Sequence, residues 1–216
     1  MKTPVGALAL LAETLADEHD LEVVDRLTGR IQAEAQRIAR IMDDLLDLSR
    51  IESEQLAPQD FVGVRSLVLE AVERMRAAAD QRAIALTVGD LPANWRLVGD
   101  RRQLISALFN LLENAVKYSD PGSAAEVDAI AADRMIELRV SDHGIGIPAH
   151  ETERIFERFY RVDQARARDT GGTGLGLAIV RHVVQNHGGD VPVESVEGQG
   201  STFTLRLPDR PGPGAA

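Results

Sequence analysis

Apolar residues recur at helical spacing through the first quarter of the chain and turn to strand-like alternation beyond it. Leu8, Leu11 and Leu15 mark one face of a first helix, which the polar break Asp17-Glu18-His19-Asp20 ends. Leu27, Ile31, Ile38, Ile41, Leu45 and Leu48 then return at intervals of three, four and seven, the stripe of a second helix. That stripe outlasts an average globular helix and reads as bundle or coiled-coil material. Two helices cannot cover both apolar faces alone. A four-helix bundle built from two copies of the chain is therefore expected.

After the break Ala57-Pro58-Gln59-Asp60 the pattern is mixed. Strands are expected at Phe61-Val62, 84–88 and 95–98, and helices at 64–79 and from the cap Asp100 to about Tyr118. Alternation at 125–131 and 135–141 predicts an antiparallel pair, and 175–187 reads as a helix. A last pair of strands falls at 191–196 and 201–207, with Pro192 indicating an edge or a bulge in the first. The stretch 149–173 is weakly patterned, with one short helix around Ile155-Phe156. The predicted fold class is α+β: a two-layer α/β sandwich with helices on one face of a mixed sheet, behind an antiparallel helical hairpin. The expected boundaries are 1–56 for the hairpin, 57–208 for the sandwich and 209–216 for a disordered Pro/Gly tail.

Composition narrows the function more than the fold. Acidic residues outnumber basic ones by 34 to 24, for a net charge of −10, so nucleic acid is not the expected partner. The absence of cysteine excludes disulfides, zinc–thiolate sites and thiol catalysis. With 44% hydrophobic and 4% aromatic residues, the core must be aliphatic. No apolar run approaches a membrane span and no signal-peptide layout is present, so a cytoplasmic chain without membrane contact of its own is expected.

Four segments carry candidate chemistry. In Asn110-Leu111-Leu112-Glu113-Asn114-Ala115-Val116-Lys117-Tyr118 the two asparagines share one helical face, with Lys117 a turn beyond. They read either as a solvated face or as neutral amide oxygens for a hard cation such as Mg²⁺, with a lysine reaching the phosphates that the metal bridges. Ser141-Asp142-His143-Gly144-Ile145-Gly146 follows an apolar strand, and is either a hairpin turn or a carboxylate accepting an amine at a pocket floor beside glycines that admit a flat ring. Phe156 and Phe159 most simply pack in the core, while Arg158 and Arg161 suit either phosphate oxygens or an exposed basic face. Gly171-Gly172-Thr173-Gly174-Leu175-Gly176 opens a helix, an arrangement that turns backbone N–H groups toward a phosphate.

Their order is more specific than any one of them. Asn-x-x-x-Asn on a helix, Asp-x-Gly-x-Gly after a strand, a Phe-containing box, Gly-x-Gly-x-Gly opening a helix and the final Gly198-Gln199-Gly200 resemble the catalytic ATP-binding domain of bacterial sensor histidine kinases, with the Bergerat fold. Lys2-Thr3-Pro4 before an apolar helix resembles the end of that family's phosphoacceptor box, and the hairpin its dimerisation and phosphotransfer domain. The resemblance implies a protein-histidine kinase of a two-component system that uses ATP and Mg²⁺. Its partners would be a second copy through the hairpin and a response regulator receiver domain, and the full-length parent is expected to be membrane-anchored. Asp142 would bind the adenine amino group, with Gly144 and Gly146 lining its pocket. Asn114 would ligate Mg²⁺, supported by Asn110. Lys117, the catalytic candidate, and Tyr118 would contact phosphates and ribose. Gly172, Thr173, Gly174, Leu175 and Gly176 would hold the triphosphate, and 149–173 would form the ATP lid.

The family's acceptor His stands three residues before the Lys of Lys-Thr-Pro, whereas Met1 alone precedes Lys2 here. None of His19, His143, His150, His182 and His187 matches that position. Self-phosphorylation by the 216 residues is therefore not expected, and a fragment boundary inside the box is the favoured explanation. The alternatives are a non-catalytic nucleotide-binding and dimerisation module and a protein-serine kinase of the anti-sigma type. Gyrase-, MutL- and Hsp90-like ATPases fit less well, because they carry a Glu base where Asn110 stands.

Overall fold

The computed structural model describes residues 4–53, 60–162 and 172–209. Lys2 and Thr3, the break at Ala57-Pro58-Gln59, residues 163–171 of the expected 149–173 lid and the tail from 210 lie outside the described residues. Helices α1 (Pro4–Ala16) and α2 (Leu21–Ser53) form the hairpin. Asp20 starts α2 by accepting the N–H of Glu22 at 2.9 Å, which satisfies one of the free donors of the first turn.

The remainder alternates helix and strand. A two-stranded ribbon pairs β1 (Asp60–Gly63) with β3 (Arg96–Gly99). The main sheet comprises β2 (Ala85–Val88), β4 (Ala124–Ala132), β5 (Met135–Asp142), β6 (Val193–Val196) and β7 (Gly200–Pro208), in the order β2-β4-β5-β7-β6. Only the β2–β4 pair is parallel, so the sheet is mixed, as expected. Helices α3 (Val64–Gln81), α4 (Arg101–Tyr118) and α5 (Gly176–Asn186) cover one face. Alternate residues of β4, β5 and β7, among them Val127, Leu138 and Leu205, are fully buried with Leu108, Leu112 and Val183 of the helices. The opposite face is polar. There Glu137 accepts from Arg139 at 2.9 Å and from Arg206 at 3.1 Å.

Two details refine the sequence reading. Strand β6 begins at Val193, after Pro192, and lies at the sheet edge. The Pro192 carbonyl accepts the N–H of Thr204 at 3.0 Å, and the absent proline N–H is tolerated at the start of an edge strand. A second 3₁₀ turn, Ala149–Glu151, precedes the one at Arg154–Phe156.

The ends of the helices are tied together. Asp100 caps α4, accepting from the N–H groups of Arg102 at 2.7 Å and Gln103 at 3.2 Å. The Asp100 N–H donates to Nε2 of His187 at 3.0 Å, and Nδ1 of that ring lies 2.7 Å from the Val183 carbonyl. Nε2 therefore accepts and Nδ1 carries the proton, a neutral tautomer that links the start of α4 to the end of α5. The hairpin joins the same core. Leu48 and Ile51 of α2 are buried in it, and the Asn186 amide donates to the Ile51 carbonyl at 3.1 Å.

Candidate functional site

A cavity of about 580 Å³ opens between α4, the start of α5, the ends of β5 and β7, and the flank of α2. That volume suits a cofactor-sized ligand. Leu108, Leu111, Leu112 and Ala115 turn one side of α4 into the core. The remaining stripe, Asn110, Asn114, Lys117 and Tyr118, is left lining the cavity. Asn110 donates from Nδ2 to the Ser106 carbonyl at 2.9 Å, and its Oδ1 faces Gly176 so closely that a side chain at 176 would strike it. The Asn114 side chain makes no hydrogen bond among the described residues and lines the cavity. The Lys117 ammonium lies 5.2 Å from the centre of the Tyr118 ring and against Gly172, where a Cβ would collide with it. Burial and then the charge of Arg161 lower the Lys117 pKa to about 8, with Glu113 opposing and Arg40 and Arg82 adding smaller effects.

At the end of β5, Asp142 accepts the Gly144 N–H at 2.9 Å. Burial pushes its carboxyl above the usual range, and the backbone N–H groups of Gly144 and Ser201 pull the other way. Gly146, at φ +64°, passes beside the carbonyl of Val196 and lines the cavity. Gly144 corrects the expectation: it is buried in a bridge to Ser119 and is not part of the lining. Its contribution is the N–H given to Asp142.

The glycine-rich loop closes the phosphate-side wall. Gly172, Thr173, Gly174 and Gly176 line the cavity. Leu175 does not, which is a second correction: its side chain is fully buried, and only its N–H points back, donating to Thr173 Oγ1 at 3.2 Å. The Gly174 carbonyl accepts the N–H of Phe159 at 2.9 Å, and that of Gly172 accepts from Arg161. Phe156 packs edge-on against Phe203, with ring centres 6.4 Å apart. Phe159, expected in the core, is instead 57% exposed at φ +63°.

Helix α2 contributes residues that the sequence reading missed. Arg40, Asp44 and Asp47 line the cavity, and Thr173 Oγ1 donates to Asp44 Oδ2 at 2.6 Å. Their spacing of four and three residues put them on one helical face in the sequence, but nothing along the chain tells which element that face meets. Arg82, at the end of α3, also lines the cavity. Among the described residues no group of three or more acidic, Cys or His side chains is placed to hold a metal. No described helix is long and apolar enough to cross a membrane.

Comparison with known proteins identifies the family and the fold. Residues 99–211 match the histidine kinase-, DNA gyrase B- and HSP90-like ATPase family, and residues 1–54 match the His kinase A (phospho-acceptor) domain. The chain is 46% identical over 215 residues to the sensor-like histidine kinase SenX3 of Mycolicibacterium smegmatis, covering 99% of this chain and 56% of that protein. It spans about half the length of the curated relatives it matches. The structure of the mycobacterial sensor histidine kinase MprB superposes with a TM-score of 0.60 at 33% identity, over 71% of this chain and 99% of that one. The histidine kinase ThkA, solved in complex with the response regulator protein TrrA, shares the fold at a TM-score of 0.78 and 20% identity, over 96% of this chain and 58% of that one.

Proposed function

The chain belongs to the histidine kinase-, DNA gyrase B- and HSP90-like ATPase family, and we propose that it acts as the catalytic part of a sensor histidine kinase, its cavity binding ATP and positioning the γ-phosphoryl group for transfer to a histidine. The observation that carries this reading is the convergence of Asn110, Asn114 and Lys117 from α4, Asp142 from β5 and the 172–176 loop on one cavity. Asp142, held by two backbone N–H groups, accepts the adenine amino group. Lys117 and the Thr173 hydroxyl face the phosphates, and the backbone N–H groups that open α5 add to them. Asn114 offers a neutral oxygen to Mg²⁺, with Asn110 supporting through the metal's water shell; the bound ion would neutralise phosphate charge. Phosphoryl transfer requires mostly positioning and charge neutralisation, and these residues supply both.

The acceptor is a histidine that the 216 residues do not carry at the family's position, and the phosphoryl group would pass from it to an Asp of a response regulator. Helices α1 and α2 leave Leu21 and Leu46 largely exposed, which supports the pairing of two hairpins in a dimer. The cytoplasm is the compartment we propose, because ATP is supplied there. The test is incubation with γ-labelled ATP and Mg²⁺, with and without a separate hairpin carrying an acceptor His. Label on the supplied His is expected. ATP bound without label reduces the protein to a nucleotide-binding module, and failure to bind ATP rejects the reading.

A further inference from the structure

The hydroxyl of Thr173, which the proposed function assigns to phosphate, is held by a carboxylate 129 residues away in the chain. Asp44 Oδ2 accepts it at 2.6 Å, while the same oxygen of Thr173 accepts the Leu175 N–H at 3.2 Å. Asp44 is half-buried in the cavity wall, with Arg40 a turn before it and Asp47 a turn after it on the same wall. Burial, followed by Asp47 and Asp43, pushes its carboxyl above the usual range; the Thr173 bond and Arg40 oppose them. This carboxylate has exchanged water for one hydroxyl beside two further acids. It is therefore incompletely compensated where it sits.

A carboxylate on that hydroxyl is chemically a substitute for a phosphate oxygen, since both are anionic and accept the same O–H and N–H donors. They cannot share the place. A triphosphate drawn toward Thr173 would meet Asp44 and Asp47 at close range in a partly desolvated cavity, where like charges repel strongly. The other attachments of α2, the buried Leu48 and Ile51 and the Asn186 bond to the Ile51 carbonyl, lie one to two turns further along the helix. None of these involves the Asp44 carboxylate.

We infer that Asp44 is an intramolecular competitor for the phosphate end of the nucleotide, so that the contact of α2 with the glycine-rich loop and phosphate binding exclude one another. Linkage makes the effect reciprocal: what holds α2 on the loop weakens ATP, and ATP releases α2 from the loop by the same factor. The inference rests on the nucleotide reading of the site and adds a control by the hairpin to it.

The experiment is calorimetric titration of the full chain with ATP, ADP and adenosine in Mg²⁺, for the wild type, Asp44→Asn, Asp44→Ala, Thr173→Val and the Asp44→Ala/Thr173→Val pair. Losing one charge-assisted hydrogen bond from the competing state should tighten ATP roughly tenfold in Asp44→Ala. Asp44→Asn, which removes the charge and keeps the shape, should fall between it and the wild type. The gain should shrink from ATP to ADP and vanish for adenosine. In the Thr173→Val background the effect of Asp44→Ala should be much smaller, because the shared contact is already gone. ATP bound equally or more weakly by Asp44→Ala overturns the inference, as does an equal gain for adenosine. If the wild type and both Asp44 variants fail to bind every nucleotide, the nucleotide reading itself falls, and the inference with it.

Discussion

The guanidinium of Arg82 reaches the last turn of α4, donating from Nη2 to the carbonyl oxygen of Lys117 at 2.9 Å and from Nε to that of Val116 at 3.1 Å. A cation is thereby placed at the negative end of the helix that carries Asn110, Asn114 and Lys117, and two carbonyls without helical partners are satisfied. Arg82→Ala should therefore weaken ATP binding while lowering unfolding free energy by about 1–2 kcal/mol. Arg82→Lys keeps the charge but cannot span both carbonyls, so its affinity should fall between the two. Denaturant titration read beside the dissociation constant checks both.

The lowered Lys117 pKa of about 8 has two consequences of defined sign. Without ligand, the folded state holds fewer protons than the unfolded chain between about 8 and the ordinary lysine value, so this residue makes stability rise with pH across that window. With ligand, phosphates favour the charged ammonium. ATP binding near pH 8 should thus take up part of a proton, and affinity should fall as pH rises above 8. Calorimetry in buffers of different ionisation enthalpy measures the uptake, and Lys117→Met should abolish it.

The Asn114 side chain lines the cavity without a hydrogen bond among the described residues, so removing its amide should affect ligand binding more than folding. Asn114→Ala is expected to lower Mg-ATP affinity by at least about tenfold, with a melting temperature close to wild type. Retained affinity would reject its assignment.

Asp142→Asn replaces an acceptor-only group with one that also presents an amide donor to the adenine amino group. Adenine nucleotides should lose on the order of tenfold to a hundredfold in affinity. The Gly144 N–H can still be met by the amide oxygen, so the end of β5 should stay intact. Competition among ATP, GTP and ITP against a fluorescent analogue reads this directly.

How much of this was legible in the sequence differs by element. Periodicity located β4, β5 and α4 to within a residue or two, because each buries alternate or 3.6-spaced positions in one continuous core. Helical spacing places Asn110, Asn114 and Lys117 on one face of α4, whereas only the resemblance to the kinase family joins Asp142, on a separate strand, to them. Gly144 and Leu175 enter the site only through the family resemblance, and a glycine-rich stretch reads alike whether a residue lines a cavity or packs behind it. Phe159 was misread for a related reason: a left-handed backbone turn reverses the direction of a side chain without leaving a mark in hydrophobicity. Arg40 and Asp44 were invisible as site residues, since their role depends on a contact between segments more than a hundred residues apart.

The pairing of Asp142 with Ser201 in β5 and β7 sets an order in time. Asp142 draws one of its two backbone hydrogen bonds from Ser201, and both Ser201 and Phe203 line the cavity. During synthesis the hairpin and the first half of the sheet emerge well before β7. A nascent chain that ends short of Ser201 has the asparagines and the lysine but lacks part of the floor beneath the base. Competence to hold a nucleotide should therefore come late in translation, and ribosome-stalled chains of increasing length should acquire it in one step as β7 clears the exit tunnel.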